Sequence, residues 1–181
     1  MPSNGGWRSQ MFMKLSDLPK ERLVALVEHF ATLALTLDGL WFTSVEDELG
    51  LNTALRLDEE VWAKFGEIEG RRIMRLLGSQ ERGLKALADA LEHMQLAHVK
   101  GMSYEVEKKG DCVVFTITDC RPQKARIRNG RGEFPCKFVG VAWLSSFAKA
   151  INPEIRVECV LCPPDPHPDD LWCKWVFKLR E

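Results

Sequence analysis

The chain of 181 residues lacks most of the features that would assign it to a familiar class. It has no repeat of about 20–50 residues, no low-complexity tract, no glycine-rich phosphate loop and no H-E-x-x-H motif. Its net charge is −1, from 25 basic and 26 acidic residues, so no global attraction to nucleic acid or to an anionic membrane is expected. Six cysteines are too few for a miniprotein built on disulfides. What is present is a globular composition, 45% hydrophobic and 28% charged, long enough to form its own core.

The amino terminus also lacks the basic stretch followed by an apolar stretch that marks a secretory signal. The longest apolar stretch, 23–37, is interrupted by Glu28 and His29, which argues against a membrane-spanning helix. We therefore expect a cytoplasmic protein with no membrane partner. In a reducing compartment, cysteines are more often buried thiols, metal ligands or catalytic groups than disulfides.

The sequence changes character near Gly101, which separates a helical region, 1–101, from a mixed region, 102–181. In the first region, apolar residues recur at steps of three and four and predict four helices. In the second, β-branched residues and turn signals predict the order β-β-α-β-β. The expected fold is α+β, with a helical amino-terminal half packed on an antiparallel sheet in one compact domain. The predicted elements are helices over 16–37, 40–49, 58–78 and 79–101, a hairpin over 104–118, a basic loop over 120–135, a helix over 136–150, and strands over 155–161 and 172–179.

Four cysteines give the strongest chemical signal in the sequence. Cys159 and Cys162 form a C-x2-C pair, a spacing at which two sulfurs can bind one metal ion. Cys173 begins the next predicted strand, and Cys136 begins the predicted helix, where the helix dipole favours a thiolate. We expect the four sulfurs to converge on a closed, structural metal site, with zinc as the ion and an iron–sulfur cluster as the alternative. Four buried thiols without a metal are the other interpretation.

The carboxyl-terminal sequence resembles the 4-vinyl-reductase-like domain over 136–177, most clearly in VECVLC at 157–162 and CKWVF at 173–177. That family includes small-molecule-binding domains of bacterial aromatic-responsive regulators and proteins linked to tetrapyrrole metabolism. It is similar in turn to the L-2-amino-thiazoline-4-carboxylic acid hydrolase-like proteins. The resemblance implies a zinc site in which Cys136, Cys162 and Cys173 match the ligands and Cys159 replaces a glutamate. It also implies a tetrapyrrole, aromatic or amino-acid-derived ligand.

The predicted loop after the hairpin carries five basic residues within eleven positions: Arg121, Lys124, Arg126, Arg128 and Arg131. Guanidinium groups bind carboxylates and phosphates through paired hydrogen bonds. This loop is therefore a candidate site for an acidic ligand, with Arg121, Arg126 and Arg128 as its binding residues. A solvated loop and a nucleic-acid contact are the alternatives, and the small extent of the basic patch weighs against nucleic acid.

A second candidate cluster lies at the second predicted helix and combines acidic with aromatic residues: Asp38, Trp41, Phe42, Glu46 and Glu48. Carboxylates beside aromatic walls are typical of a pocket, so Asp38 and Trp41 join the candidate ligand-binding residues. The alternative is that Asp38 caps a helix, Trp41 and Phe42 belong to the core, and Glu46 and the other acidic residues are solvated.

From these patterns we expect a zinc-stapled protein that binds or senses a small acidic or aromatic ligand between the helices and the sheet. The alternative is a hydrolase of the thiazoline-carboxylate type, for which Cys120, Asp38, Glu46 or His93 would have to converge in one cleft. A nucleic-acid-binding zinc protein is a third interpretation, which the sequence disfavours. With no separate output domain, a regulator would need a partner chain, and a homodimer formed through the amino-terminal helices is the working hypothesis.

Overall fold

The computed structural model describes residues 14–180 of the chain. A run of helices comes first, and a sheet interrupted by two further helices follows it. The helices are α1 (Lys20–Leu49), α2 (Leu51–Leu76), α3 (Leu84–Leu91), α4 (Arg121–Arg128) and α5 (Lys137–Ile151), and short 3-10 turns cover Leu15–Asp17 and Gln95–His98. The strands are β1 (Ser103–Lys109), β2 (Cys112–Asp119), β3 (Ile155–Leu161) and β4 (Cys173–Leu179).

The first two helices are longer than the sequence predicts. The helices expected over 16–37 and 40–49 are a single helix, α1, which continues through Gly39. A glycine inside a helix costs about 1 kcal/mol, and the burial of Leu35 and Phe42 on either side of it outweighs that cost. As predicted, α1 ends at Gly50, whose φ of +83° is a conformation that favours glycine. Helix α2 begins directly after this residue.

The helix predicted over 79–101 is interrupted in the structure. After α3 the chain turns, and the 3-10 turn brings the backbone N–H of Gln95 within 2.6 Å of Glu69 Oε1 on α2. The indole N–H of Trp143 on α5 donates to Glu69 Oε2 at 3.1 Å. Because Glu69 joins three elements that are distant in sequence, local helical periodicity does not reveal this break.

The four strands form an antiparallel sheet in the order β1-β2-β4-β3. The predicted hairpin is present, with Glu105 of β1 paired to Thr116 of β2. One face of the sheet packs under the helices and carries the buried rings of Phe115, Trp175 and Phe177. An α+β fold with helices on an antiparallel sheet is therefore confirmed.

Helix α5 lies between the sheet and α2, and small residues allow close packing on both of its sides. At Gly140, an added Cβ would lie 2.7 Å from the ring of Trp175 on β4. At Gly66 of α2, it would lie 2.4 Å from the carbonyl oxygen of Trp143 on α5. Leu144 of α5 is fully buried in this layer. The core therefore depends on backbone-to-ring and backbone-to-backbone approaches that leave no room for side chains.

Helix α1 packs on α2 with one side and exposes the other. By length and composition alone it is able to cross a membrane, since an 18-residue window has a mean hydropathy of 1.5. Only 11% of that window is buried inside the protein. The interruption by Glu28 and His29 therefore does not by itself exclude a span.

The basic stretch expected as a loop over 120–135 contains helix α4. Pro122 lies in its first turn, where a proline is well tolerated. The side chains that α4 buries are those of Gln123 and Arg126. A helix whose inner face is polar gives no apolar periodicity, so the sequence pattern does not reveal it.

The predicted four-cysteine metal site is wrong. Within residues 14–180, no group of three or more His, Cys, Asp or Glu side chains is arranged to hold a metal ion. The sulfurs of Cys136 and Cys162 lie 3.6 Å apart, and the buried Cys173 contacts Cys162, but Cys159 pairs across the sheet with Trp175 and a bulge follows it. The C-x2-C pair therefore straddles the end of a strand and does not form the tight turn that the site required. Both cofactors expected from the sequence, zinc and an iron–sulfur cluster, depended on that site.

Candidate functional site

A cavity of about 260 Å³ lies between α1, α2 and α4. Apolar side chains form much of its wall, and charged side chains from all three helices reach it. That mixture of apolar walls and a few convergent polar groups is typical of small-molecule sites. The lining consists of Leu35, Thr36, Asp38, Gly39, Leu40, Phe42 and Thr43 of α1, Asp58 of α2, Arg121, Pro122, Ala125, Arg126 and Arg128 of α4, and Asn129, Arg131 and Phe134 after it.

Arg126 lines this cavity and is nevertheless buried, with 7% of its surface exposed. Its two terminal nitrogens donate to the carboxylate of Glu46 on α1, at 2.6 and 3.0 Å. The guanidinium also lies over the rings of Phe42 and Phe134, 5.7 and 5.6 Å from their centroids, and aromatic faces attract a cation. Hydrogen bonding from Arg126 lowers the pKa of Glu46, so this carboxylate stays ionised.

The third nitrogen of the same guanidinium is unsatisfied. Within residues 14–180, the Nε–H of Arg126 has no hydrogen-bond partner. A buried donor left unpaired costs about 1–3 kcal/mol. Arg126 lines the cavity, but because Nε itself is buried, an acceptor atom of a bound molecule reaches it only if neighbouring side chains move.

Asp38 of α1 and Asp58 of α2 are the carboxyl groups of the cavity lining. Burial raises the pKa of Asp38 to about 6, against a hydrogen bond with Trp62 that lowers it. Burial, together with the nearby charge of Asp38, raises the pKa of Asp58 to about 7. Because burial disfavours both charges and the charge of Asp38 opposes ionisation of Asp58, the pair retains a proton near neutral pH. The two groups can therefore donate as well as accept hydrogen bonds.

The remaining basic residues at the cavity differ in whether an acidic partner neutralises their charge. Arg131 forms a paired contact with Asp47 of α1, at 2.7 and 2.9 Å. Arg121 donates to the carbonyl oxygen of Lys100 at 3.3 Å, which engages its hydrogen-bonding capacity without neutralising its charge. Arg128 is exposed at the cavity. Arg121 and Arg128 are thus the cations that face the cavity without an acidic partner among the described residues.

Gln123 holds one wall of the cavity in place. Its side-chain oxygen accepts from the N–H of Phe134 and its amide donates to the carbonyl of the same residue, both at 2.7 Å. The amide nitrogen also lies 3.4 Å from the sulfur of Cys136 at the start of α5. The position of the Phe134 ring is therefore linked to the packing of the core beneath it.

The structure brings together four of the five residues predicted to bind a ligand. Asp38, Arg121, Arg126 and Arg128 line the same cavity, whereas Trp41 is 71% exposed on another side of α1. The sequence interpretation missed Asp58, which it placed at a helix start. Its approach to Asp38 follows from the pairing of two long helices, and sequence spacing contains no signal for it.

The convergence required for the hydrolase alternative is only partly present. The lining includes Asp38, but among the described residues it does not include Cys120, Glu46 or His93. Burial raises the pKa of Cys120, so its thiol is protonated and unreactive at neutral pH. His93 lies after α3, where its Nδ1 is 2.7 Å from the carbonyl oxygen of Asp89.

Comparison with known proteins adds a fold and a family. No curated protein matches the sequence. A trafficking protein particle complex subunit 3 from Naegleria fowleri, solved covalently bound to palmitic acid, is similar in structure, with a TM-score of 0.54 and 14% identity. The match covers 83% of this chain and 95% of that one, and at this identity it shows the fold alone. The resemblance to 4-vinyl-reductase-like domains is not tested by these matches and stays a prediction. Residues 15–179 match the family of unknown function DUF6125, and the chain belongs to that family.

Proposed function

We propose that this chain binds a small organic acid in the cavity between α1, α2 and α4. The observation that carries the proposal is the convergence of Arg121, Arg126 and Arg128 on one cavity, with no acidic partner for Arg121 or Arg128 within residues 14–180. Glu46 already occupies the two terminal nitrogens of the guanidinium. The remaining N–H is a further donor, which a ligand oxygen reaches only if neighbouring side chains move.

The negative charge of the ligand is supported by Arg121 and Arg128. Because Glu46 balances the charge of Arg126, Arg126 adds a hydrogen-bond donor but little net attraction for an anion. Arg121 and Arg128 lie on the same wall of the cavity, and guanidinium groups recognise carboxylates through parallel hydrogen bonds.

The carboxyl pair supports a second polar group on the ligand. Asp58, with a pKa of about 7, can donate to a hydroxyl or carbonyl group when protonated and can hold an amine when ionised. Between the two ends, Phe42 and Phe134 offer aromatic surface to a short apolar body. The proposed ligand is therefore an amino or hydroxy derivative of a small aromatic or aliphatic acid.

The size of the cavity supports the smaller of the ligands that the sequence resemblance implies. Its volume of about 260 Å³ lies below the about 300–1,000 Å³ of sites for drug-sized molecules. A single aromatic acid or an amino-acid derivative suits this volume better than a tetrapyrrole. The solved neighbour is covalently bound to palmitic acid, which has a long alkyl chain, whereas the charged lining here favours a short polar body.

A hydrolase acting on the same class of acid is the second candidate, and the carboxyl pair is the observation that favours it. Two neighbouring carboxyls with pKa values raised to about 6 and about 7 can give or take a proton near neutral pH, as an acid or base in catalysis does. Binding without turnover of the bound acid would decide for the first candidate.

The proposal is tested with a panel of small aromatic and amino-acid-derived carboxylic acids, each paired with its uncharged amide. We expect at least one acid to raise the Tm of the full chain more than its amide does, since only the acid satisfies the guanidinium groups. Trp62, which lies beside the carboxyl pair, provides a second readout by fluorescence.

The matched variants are Arg128→Gln at the cavity and Arg75→Gln in the last turn of α2, outside its lining. We expect Arg128→Gln to weaken acid binding about tenfold or more, as the loss of a hydrogen bond to a charged group does, and Arg75→Gln to leave it unchanged. If no acid stabilises the chain more than its amide, or if both variants bind alike, the proposal is wrong.

A further inference from the structure

The outward side of α1 is a continuous apolar surface, which we name the α1 face. Between Leu23 and Trp41, every residue on this side of the helix is apolar, and the charged residues of the same segment lie on the other sides. Leu37 is 69% exposed and Trp41 is 71% exposed. The α1 face consists of Leu23, Leu26, Val27, Phe30, Leu33, Ala34, Leu37, Leu40 and Trp41.

The area of the α1 face is unusual for a surface in contact with water. From their exposed fractions, its side chains offer about 700 Å² per chain, against roughly 300–600 Å² for the largest apolar patch of a typical monomer. A surface of this size marks an interface with a protein or a membrane.

The way α1 is anchored disfavours a membrane as the occupant. The opposite side of the helix buries Ala31, Leu35 and Phe42, and Glu46 is tied to Arg126. A helix held in this way cannot leave the protein to span a bilayer. Helices that lie on anionic membranes are rich in Lys and Arg. Helix α1 has the opposite balance, with Lys20 and Arg22 against Glu21, Glu28, Asp38, Glu46, Asp47 and Glu48.

We propose that the α1 face is covered by the α1 face of a second copy of this chain, in an antiparallel homodimer. Full coverage of two such faces would bury at most about 1,400 Å², which reaches the roughly 1,200–2,000 Å² of stable, specific interfaces. A symmetric dimer places the same patch on both partners, so a single self-complementary surface is sufficient. This inference does not depend on the proposed ligand.

The spacing within the α1 face fits a second helix. Val27, Phe30, Ala34, Leu37 and Trp41 follow one another at alternating steps of three and four, the repeat that lets two helices interlock side by side. The small side chain of Ala34 lies in the middle of this series and permits a close approach of the two backbones.

Charge at the two ends of α1 favours the antiparallel orientation. Lys20 begins the helix and Glu48 lies near its end, both close to the line of the α1 face. A parallel pair would bring like charges together at each end, whereas an antiparallel pair brings Lys20 near the partner's Glu48 end. Leu40 belongs both to the α1 face and to the cavity lining, so the second copy would lie beside the cavity.

The experiment measures the mass of the full chain in solution by light scattering after gel filtration. We expect twice the chain mass of 20.6 kDa for the native protein and for Phe138→Asp, and the single-chain mass for Leu37→Asp. Phe138 is the matched control, because it is also a large apolar residue on a helix, 71% exposed, but on α5. Circular dichroism confirms that Leu37→Asp keeps its helices.

A cross-link provides a second readout if Leu37→Asp does not fold. Under mild oxidation, Ala34→Cys is expected to give a covalent dimer, while Glu28→Cys, on the polar side of α1, runs with the native chain. A native protein that is monomeric overturns the proposal, and so does one that binds neutral lipid vesicles in place of a second copy. A Leu37→Asp variant that stays dimeric, or equal cross-linking at positions 34 and 28, assigns the dimer to another surface and overturns it as well.

Discussion

The layer around α5 and the layer between α1 and α4 are packed in opposite ways. Around α5, Gly66 and Gly140 bring backbone against backbone and backbone against ring, and the surrounding side chains are mostly apolar, with the paired carboxylate of Glu69 and the hydroxyl of Ser146 among them. Between α1 and α4, the interior contains the Arg126–Glu46 pair, the carboxyls of Asp38 and Asp58, and open volume. The layer around α5 has no room for larger side chains, whereas the layer between α1 and α4 contains a cavity and an unpaired hydrogen-bond donor.

This difference separates the part of the molecule that holds the fold from the part suited to binding. Empty volume and unsatisfied polar groups lower stability. Where both occur together beside a densely packed core, a functional site is expected. The core around α5 acts as the rigid support on which α1 and α4 hold the charged side chains.

The largest effect should come from filling the closest approach in the core. In Gly66→Ala, the added Cβ would lie 2.4 Å from the backbone carbonyl oxygen of Trp143, so α2 and α5 would have to move apart. We expect a loss of about 3 kcal/mol in the free energy of unfolding, measured by urea denaturation. The matched control is Gly39→Ala in α1, which has no neighbour within 4 Å of the added Cβ and should gain up to about 1 kcal/mol from helix propensity. Equal losses in both variants would remove the contrast between the layers.

A smaller effect should follow from breaking the buried ion pair between α1 and α4. Glu46→Gln removes the charge that balances Arg126, both side chains being largely buried, at 14% and 8% exposure. We expect about 2–3 kcal/mol of destabilisation, because one charge is left without its partner, together with a change in Trp62 fluorescence as the cavity relaxes. Asp47→Asn is the control, since Asp47 pairs with Arg131 at the surface and its loss should not measurably alter unfolding. If Asp47→Asn is as damaging as Glu46→Gln, burial is not what gives the inner pair its strength.

The sequence predicts the sheet half of the fold well because its signals are local. Alternating apolar residues and a turn specify the β1–β2 hairpin, and Gly50 specifies the end of α1. Where tertiary contacts decide, the prediction fails: α4 buries polar residues, and the contact of Gln95 with Glu69 breaks a helix that local propensity would continue.

The candidate site shows the same division. Arg121, Arg126 and Arg128 lie within eight positions of one another, so a cluster in the sequence becomes a cluster in space. Asp58 joins Asp38 only because α1 and α2 pack together, which spacing along the chain does not encode. The cysteine motif is misleading because the metal site required a tight turn between Cys159 and Cys162. In the structure, Cys159 lies within strand β3 and is followed by a bulge.

The smallest of the expected effects is a dependence of stability on pH that belongs to the α1–α4 layer. Because the pKa of Asp58 is raised to about 7 in the folded chain, the folded state keeps a proton that the unfolded chain releases above about pH 4. The contribution of this carboxyl to stability is therefore complete below about pH 4 and is lost progressively as the pH rises from there through about 7. Asp58→Asn should remove this loss and exceed the native chain by about 1–2 kcal/mol near pH 8, with no gain near pH 4. The measurement is urea denaturation across that range, with Asp170→Asn, at an exposed position, as the control. The slope of the free energy of unfolding against pH should change only in Asp58→Asn. An unchanged slope would mean that the carboxyl is ionised in the folded protein and that the layer between α1 and α4 is as well solvated as the surface.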